Sequence, residues 1–429
     1  MKSTDLSMRR TIFTLLIFTL VFASVSIGST QAAPTNAAVV YYVSNGDLYS
    51  VKTDGSHSVK VRENFKGVEI KPAGNYMYYM DEETAELFRF SLSDTAALSE
   101  DFDGDVQTVD YVTVGDMIYF MSVKGGIYSV SANAKNTSEA KLIVKSKDSI
   151  TPNFAVAGGR IYYNTFREGY EPWVVSKSVD GSGPIKWIAA GGFDHSDFVR
   201  ATPTTLSIMV NTKPFETEYS LNCMVLYTMP INGGPVKAAN PKNPLDTNAV
   251  YSGSWTNDYY LYNKGILLDS DGDYDYTKGK AFLLQKDGKS IQLHKTSVFE
   301  VVDFGAKKLA FVDGSGKTSV STIANSKVTS TKAVALSDVD YISNLFNDKV
   351  VKTTMLFGES GAYTLNADLS IKKIVGVEAD SFRYEKNIDG IFFVNTGDNS
   401  RLYRMSEDGQ TSVKLADEKV SSIVLITKP

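Results

Sequence analysis

The sequence predicts an all-β protein: a β-propeller built from four-stranded antiparallel blades of about 40–50 residues, seven to nine in number. Three observations carry this. A hairpin phrase recurs along nearly the whole chain, its copies are spaced by about one blade, and its apolar residues follow period two instead of 3.6. The phrase first reads Val40-Tyr41-Tyr42-Val43, Asn45-Gly46-Asp47-Leu48-Tyr49 and Asp54-Gly55. It returns as Ile118-Tyr119-Phe120 before Gly126-Ile127-Tyr128. Near the C-terminus it is Ile391-Phe392-Phe393-Val394 before Arg401-Leu402-Tyr403 and Asp408-Gly409.

The first element is a leader, not part of the fold. Lys2, Arg9 and Arg10 form a positive start, Thr11 to Ile27 is apolar, and Ser29-Thr30-Gln31-Ala32-Ala33 is small and polar. This is the pattern of a secretory signal peptide over residues 1–32, cut after Ala32. The alternative is an uncleaved anchor, for which the apolar run is marginal in length. Residues 33–429 then read as one propeller domain. Its one linker-like stretch, near residues 240–245 (Asn240-Pro241-Lys242-Asn243-Pro244), is where a split into two smaller arrays would fall.

Nine hairpin units align on Tyr42, Tyr78, Tyr119, Tyr162, Ile208, Tyr260, Phe311, Val351 and Phe392. Each begins at a turn such as Gly158-Gly159, continues through an apolar strand, and reaches a second strand of Leu-Tyr type. An Asp-Gly or Asn-Gly pair follows, at Asp54, Asp180, Asn232, Asp287 and Asp408, and predicts a two-residue turn with positive φ. A third, more polar strand comes next. A single blade cannot bury both faces, so blades stack around an axis. The last strand, Val420 to Thr427, is placed to join the first blade and close the ring, which removes exposed sheet edges.

Composition excludes several function classes. The chain carries a formal net charge of −5 and no basic block. Loss of the leader would make the mature chain two charges more negative, so nucleic acid is not an expected partner. No second apolar run is long enough to span a bilayer. Cys223 is the only cysteine, so no internal disulfide staples the fold. Leader and cysteine usage together point to a secreted or cell-envelope protein of bacterial type.

The Ile-Tyr-Tyr … Leu-Tyr … Asp-Gly phrase resembles the low-density-lipoprotein-receptor-like β-propeller domain of unknown function found in secreted bacterial proteins. Residues 39–55, 117–131, 159–181 and 390–409 carry the likeness, which covers most of residues 38–429. It implies the fold, and its motif residues are structural, so no functional residue follows from it. Residues 200–285 depart from the pattern by longer loops.

The sharpest local signal is Asp269-Ser270-Asp271-Gly272-Asp273-Tyr274-Asp275. Carboxylates at alternate positions of a tight loop can converge on Ca²⁺, which takes six to eight oxygen ligands. Asp269, Asp271, Asp273 and Asp275 are therefore candidate metal ligands. The loop departs from an EF-hand at its fourth, sixth and twelfth positions, and a plain solvated acidic loop is the alternative. No other cofactor is expected. Asp194-His195-Ser196-Asp197 reads as an inter-blade turn, and His57 and His294 do not obviously converge on His195. Neither Gly253-Ser254-Trp255 nor Gly314-Ser315-Gly316 is a nucleophile elbow, and Cys223 lies in a strand-like context.

Aromatic loop residues are the candidate ligand contacts: Tyr170, Trp173, Tyr219 and Trp255, with Trp187 in the same part of the chain. They suit a protein or glycan partner. The enlarged loops 164–172, 211–222 and 263–280 belong to three successive units and would form one surface if they share an end. The function expected is a non-catalytic binding or scaffold module. The alternatives are a glycan-active lyase or hydrolase with carboxylates in the central channel, and a sensor or inhibitory domain acting on a partner protein.

Overall fold

The computed structural model describes residues 38–427 except 93, 95–97, 105–106, 146–153, 168–170, 193–198, 203, 213–223, 232–234, 240–248, 257, 269–273, 276, 306, 337–338, 348–349, 359–360, 376–378, 385–389 and 407–410. The expected leader and the linker-like stretch at 241–244 fall outside the described residues. Ala38–Pro429 form one compact unit.

The unit is a nine-bladed β-propeller of four-stranded antiparallel sheets. We letter the strands of each blade A to D in sheet order. Blade 2 shows the pattern: Gly67–Ala73, Tyr76–Asp81, Leu87–Ser91 and Glu100–Asp101. Strands A of successive blades touch one another where Gly67–Ala73 meets Thr108–Val114 and where Val298–Asp303 meets Val339–Asn347, and so ring the axis. Strands D lie at the rim.

Blade 1 is assembled from both ends of the chain. Val39–Ser44, Asp47–Lys52 and Val59–Arg62 supply B, C and D, and Val420–Thr427 supplies A, pairing Val39 with Thr427 and Ser44 with Val420. Ring closure by the last strand is thus as expected.

Strand B explains why the repeat is legible. It is apolar on both sides because successive side chains enter the cores of opposite neighbours. Tyr41 packs with Met77 and Phe90 of blade 2, while Tyr42 packs with Phe392 and Leu402 of blade 9. Nine such cores lie between neighbouring blades, from blades 1 and 2 round to blades 9 and 1. The Leu-Tyr pair of strand C divides the same way. Leu48, Leu87 and Leu402 are fully buried. The aromatic after each lies directly opposite an aromatic of strand B and stacks on it. Tyr42–Tyr49, Tyr79–Phe88, Phe120–Tyr128, Tyr262–Phe282 and Phe393–Tyr403 have ring centroids 5.5 to 5.7 Å apart. Cross-strand pairs of this kind contribute about 0.5–1.5 kcal/mol each beyond area burial.

One expectation is corrected. Among the described residues, the Asp-Gly turns between strands C and D, at Asp54, Asp180 and Asp287, are not two-residue turns with positive φ at both positions. Gly55 N donates to Lys52 O at 2.8 Å and Lys52 N to Ser56 O at 3.0 Å. Gly55 takes positive φ, but Asp54 does not. This is a type I turn followed by a left-handed glycine, one residue longer than expected. The aspartate stays right-handed because its carboxylate accepts the Ser56 N–H at 2.8 Å. True two-residue turns, with positive φ at both positions, occur at Asn45-Gly46, Gly158-Gly159 and Asn325-Ser326.

Candidate functional site

Strand direction decides which loops can meet. Strands B and C are antiparallel in every blade, so every B–C connection lies at the same end of the ring. The expected loops fall at the B–C connections of blades 4, 5 and 6: between Arg167 and Glu171, between Asn211 and Met224, and between Lys264 and Lys280; those of blades 5 and 6 are long, but in blade 4 residues 164–167 and 171–172 are paired strand and only three residues connect them. They share one end, as the expectation of one surface required. In blade 4 the two strands themselves are long, eight residues each at Arg160–Arg167 and Glu171–Ser178.

The expected ligand residues are distributed as follows. Trp173 sits on strand C of blade 4, half-buried against the core between blades 3 and 4. Trp187, on strand D, meets it edge-on, with centroids 5.6 Å apart at 89°. Trp187 is 45% exposed, and Phe166 43%, on the opposing stretch of strand B. Trp255 ends strand A of blade 6. Tyr170 and Tyr219 lie outside the described residues.

Of the acidic loop, Asp269, Asp271 and Asp273 also lie outside the described residues. Asp275 pairs with Leu267 in a small two-stranded ribbon, Leu267–Leu268 with Tyr274–Asp275. Its Oδ1 accepts the Thr277 backbone N–H at 2.9 Å and the Thr277 hydroxyl. These bonds hold its carboxyl below the usual range. Among the described residues no group of three His, Cys, Asp or Glu forms a metal set. His294 donates or accepts at Thr296 Oγ1, 2.9 Å away, and its ring packs on Phe311. His195 and Cys223 lie outside the described residues.

The channel strands carry a feature the hairpin phrase does not contain. An acid follows an apolar residue on strand A of five blades: Glu69, Asp110, Glu300, Asp340 and Asp380. Each of these strands is interrupted by a bulge or register shift near that acid. A bulge re-aims a side chain that would otherwise follow the pleat. Glu69 itself takes φ +53.

In blades 2 and 3 two of these acids meet. Burial pushes the Asp110 carboxyl up to about 6, and the neighbouring Glu69, which shares a hydrogen bond with it, adds to the shift. Lys71 opposes it. The Lys71 ammonium bonds Glu69 Oε2 at 3.0 Å and Tyr111 O at 2.7 Å, and stands 4.4 Å from the centre of the Tyr111 ring. Tyr111 donates to Tyr78 O at 2.9 Å and to Glu69 O, locking the two blades together. In blade 7, burial also raises Glu300, whose Oε2 accepts the Ile342 N–H at 3.0 Å. The Asp110 carboxyl, at about 6, can take up or release a proton in mildly acidic solution. Carboxyls in hydrogen-bond contact are too close to flank a glycosidic bond, which needs about 5 Å or more between them.

No protein-family model matches the sequence, and no curated protein matches it. Among solved structures the chain is similar to the dihydro-heme d1 dehydrogenase NirN in complex with DHE. That likeness has 10% identity, covers 93% of this chain and 77% of that one, and has a TM-score of 0.46. It is also similar to apo AztD from Citrobacter koseri, with 9% identity, 92% and 100% covered and a TM-score of 0.42. The nidogen/laminin complex gives 11%, 69% and 92% covered, and 0.30. The propeller assignment rests on the nine blades and nine inter-blade cores, not on these likenesses. Among the described residues no helix is long and apolar enough to cross a membrane.

Proposed function

We propose that the chain is a secreted or envelope-associated propeller that binds a protein or glycan partner without chemical conversion. The observation that carries the reading is the shared end of the B–C connections of blades 4, 5 and 6. Blades 5 and 6 have their long connections there, and the neighbouring blade 4 hairpin carries Phe166 and Trp173 on strands of eight residues, while blade 1 closes the same connection with two residues. Loops grouped at one end of a rigid scaffold are the usual site of recognition. The hairpin phrase supports, as part of the same proposal, kinship with the low-density-lipoprotein-receptor-like propellers of secreted bacterial proteins. Calcium at Asp269 to Asp275 enters on sequence spacing alone.

The test is capture from envelope extract by the protein lacking residues 1–32, in calcium and in chelator, beside a protein whose loop 212–223 is replaced by a short turn. A partner retained by the parent and lost on loop replacement supports the reading. Loss in chelator assigns the acidic loop to it. Equal retention by both proteins removes the B–C end as the site.

A further inference from the structure

A groove of about 540 Å³ opens between blades 4 and 5, at the end opposite the B–C connections. Strand register decides which side chains face it. In blade 4, Tyr162 pairs with Ser176 and Ser176 with Lys186, so these three and Arg160, two residues before Tyr162, lie on one face of the sheet. That face meets blade 5, where Tyr162 and Ile188 pack in one core with Met229 and Val236. Trp187 pairs with Val175 and turns to the other face, where its ring meets Trp173. The groove therefore has Lys186 and Ile188 on one side, and Met229 and Val236 on the other.

Its polar groups are donors. Arg160 Nε donates to Ser176 Oγ at 2.9 Å, and Nη2 to the Ser176 backbone oxygen at 3.0 Å. These bonds fix one edge of the guanidinium against strand C. The other edge, Nη1 with the second Nη2 proton, makes no hydrogen bond among the described residues. Neither does the hydroxyl of Tyr162, a residue only 1% exposed. Burial raises the Tyr162 phenol and the Arg160 charge opposes the rise, so hydroxyl and guanidinium are neighbours. Lys186 is exposed and pairs with no described acid. No carboxylate lines the groove among the described residues. The volume is that of a small-ligand site.

We infer that this groove binds a free carboxylic acid with a hydrocarbon body, an alkanoate. Its carboxylate takes the open edge of Arg160 and the Tyr162 hydroxyl, with Lys186 as a second cation, and its chain lies on Ile188, Met229 and Val236. Two oxygens on one carbon match the two-donor edge of a guanidinium. The rest of the lining is apolar, and a polar group laid on it would lose its water without gaining a partner. A peptide C-terminus has the same carboxylate but brings backbone N–H groups. The lining holds no acceptor for them once Tyr162 and Ser176 are engaged. A sugar brings hydroxyls to the same apolar wall. The ligand is a small molecule and the site lies away from the long B–C loops, so this inference goes beyond the partner-binding role and does not depend on it.

The experiment is titration calorimetry of the full chain with octanoate, 1-octanol, acetate and the tripeptide acetyl-Ala-Ala-Leu, on wild type, Arg160→Met and Lys186→Glu. A thermal melt checks both variants. Lys186 is exposed, so its reversal leaves folding intact and decides the matter should Arg160→Met unfold. Expected is octanoate binding at one site per chain that weakens with salt. Arg160→Met should lose about tenfold or more, as removal of a charge-assisted hydrogen bond does, and Lys186→Glu about threefold or more. Octanol lacks the charge, acetate lacks the chain, and the tripeptide carries unpaired amides, so each should bind at least about tenfold more weakly than octanoate. No binding of octanoate overturns the inference, as does octanoate binding unchanged in Lys186→Glu. Octanol binding as tightly as octanoate also overturns it, and a tighter tripeptide gives the groove to a protein C-terminus instead.

Discussion

Asp110 is the residue at which environment most changes chemistry. Buried beside Glu69, it titrates at about 6, above its ordinary 3.8. The folded protein therefore binds a proton that the unfolded chain has released, so this group's contribution to stability falls as pH rises from about 4 to about 6. The full linkage would be about 3 kcal/mol, and partial solvation reduces it to about 1–2. Asp110→Asn should accordingly match wild type near pH 4 and exceed it by about 1–2 kcal/mol at pH 7. Urea melts at the two pH values check this, and parallel curves would remove Asp110 from the account. The turn aspartates behave in the opposite sense. Asp54, Asp180, Asp287 and Asp368 are each lowered first by a side-chain hydrogen bond from the residue two positions on. Their contribution is present above the unfolded value and is lost as pH falls through the folded one.

At the scale of elements, neighbouring blades are joined by single polar stitches as well as by their cores. Arg89 of blade 2 is buried and donates to Ala132 O at 3.1 Å and Ala134 O at 2.7 Å in blade 3, with Glu100 as its counter-ion at 2.6 Å. Blades 4 and 5 are stitched by Gly192 and Asn211, which exchange backbone hydrogen bonds of 2.9 and 2.8 Å. Gly191 makes this approach feasible: its φ is +113, and a Cβ there would lie 2.1 Å from Asn211 O. Gly191→Ala should cost about 2–4 kcal/mol. Gly183→Ala, at φ +68 with nothing within 4 Å of a Cβ, should cost about 1 kcal/mol. Denaturant midpoints of the pair separate steric contact from backbone strain, and equal losses would assign both to φ alone.

For the whole molecule the decisive event is closure. Val420, Ile423 and Ile426 enter the core shared by blades 9 and 1, and Glu418 hydrogen-bonds the Tyr42 hydroxyl. Deleting residues 420–429 exposes an edge at Val39–Ser44 and opens that core. The expected loss is about 4 kcal/mol or more, with aggregation through the free edge. A synthetic peptide of residues 418–429 should restore part of the melting temperature. A truncated chain as stable as the parent would show that the ring does not depend on closure.

The nine hairpin units, their apolar faces and the closing strand were legible in the sequence because each arises from neighbours on the chain. Tyr42 faces Tyr49 across a two-residue turn, and such local pairs leave a period-two trace in every copy. Strands A left no such trace, since their bulges break the period at Glu69, Asp110 and Glu300. The meeting of Glu69 with Asp110 comes from blade stacking, which joins residues some forty positions apart. The common end of the long loops likewise waited on strand pairing. Local periodicity determined the architecture, and only the packing of blade on blade decided which side chains stand together.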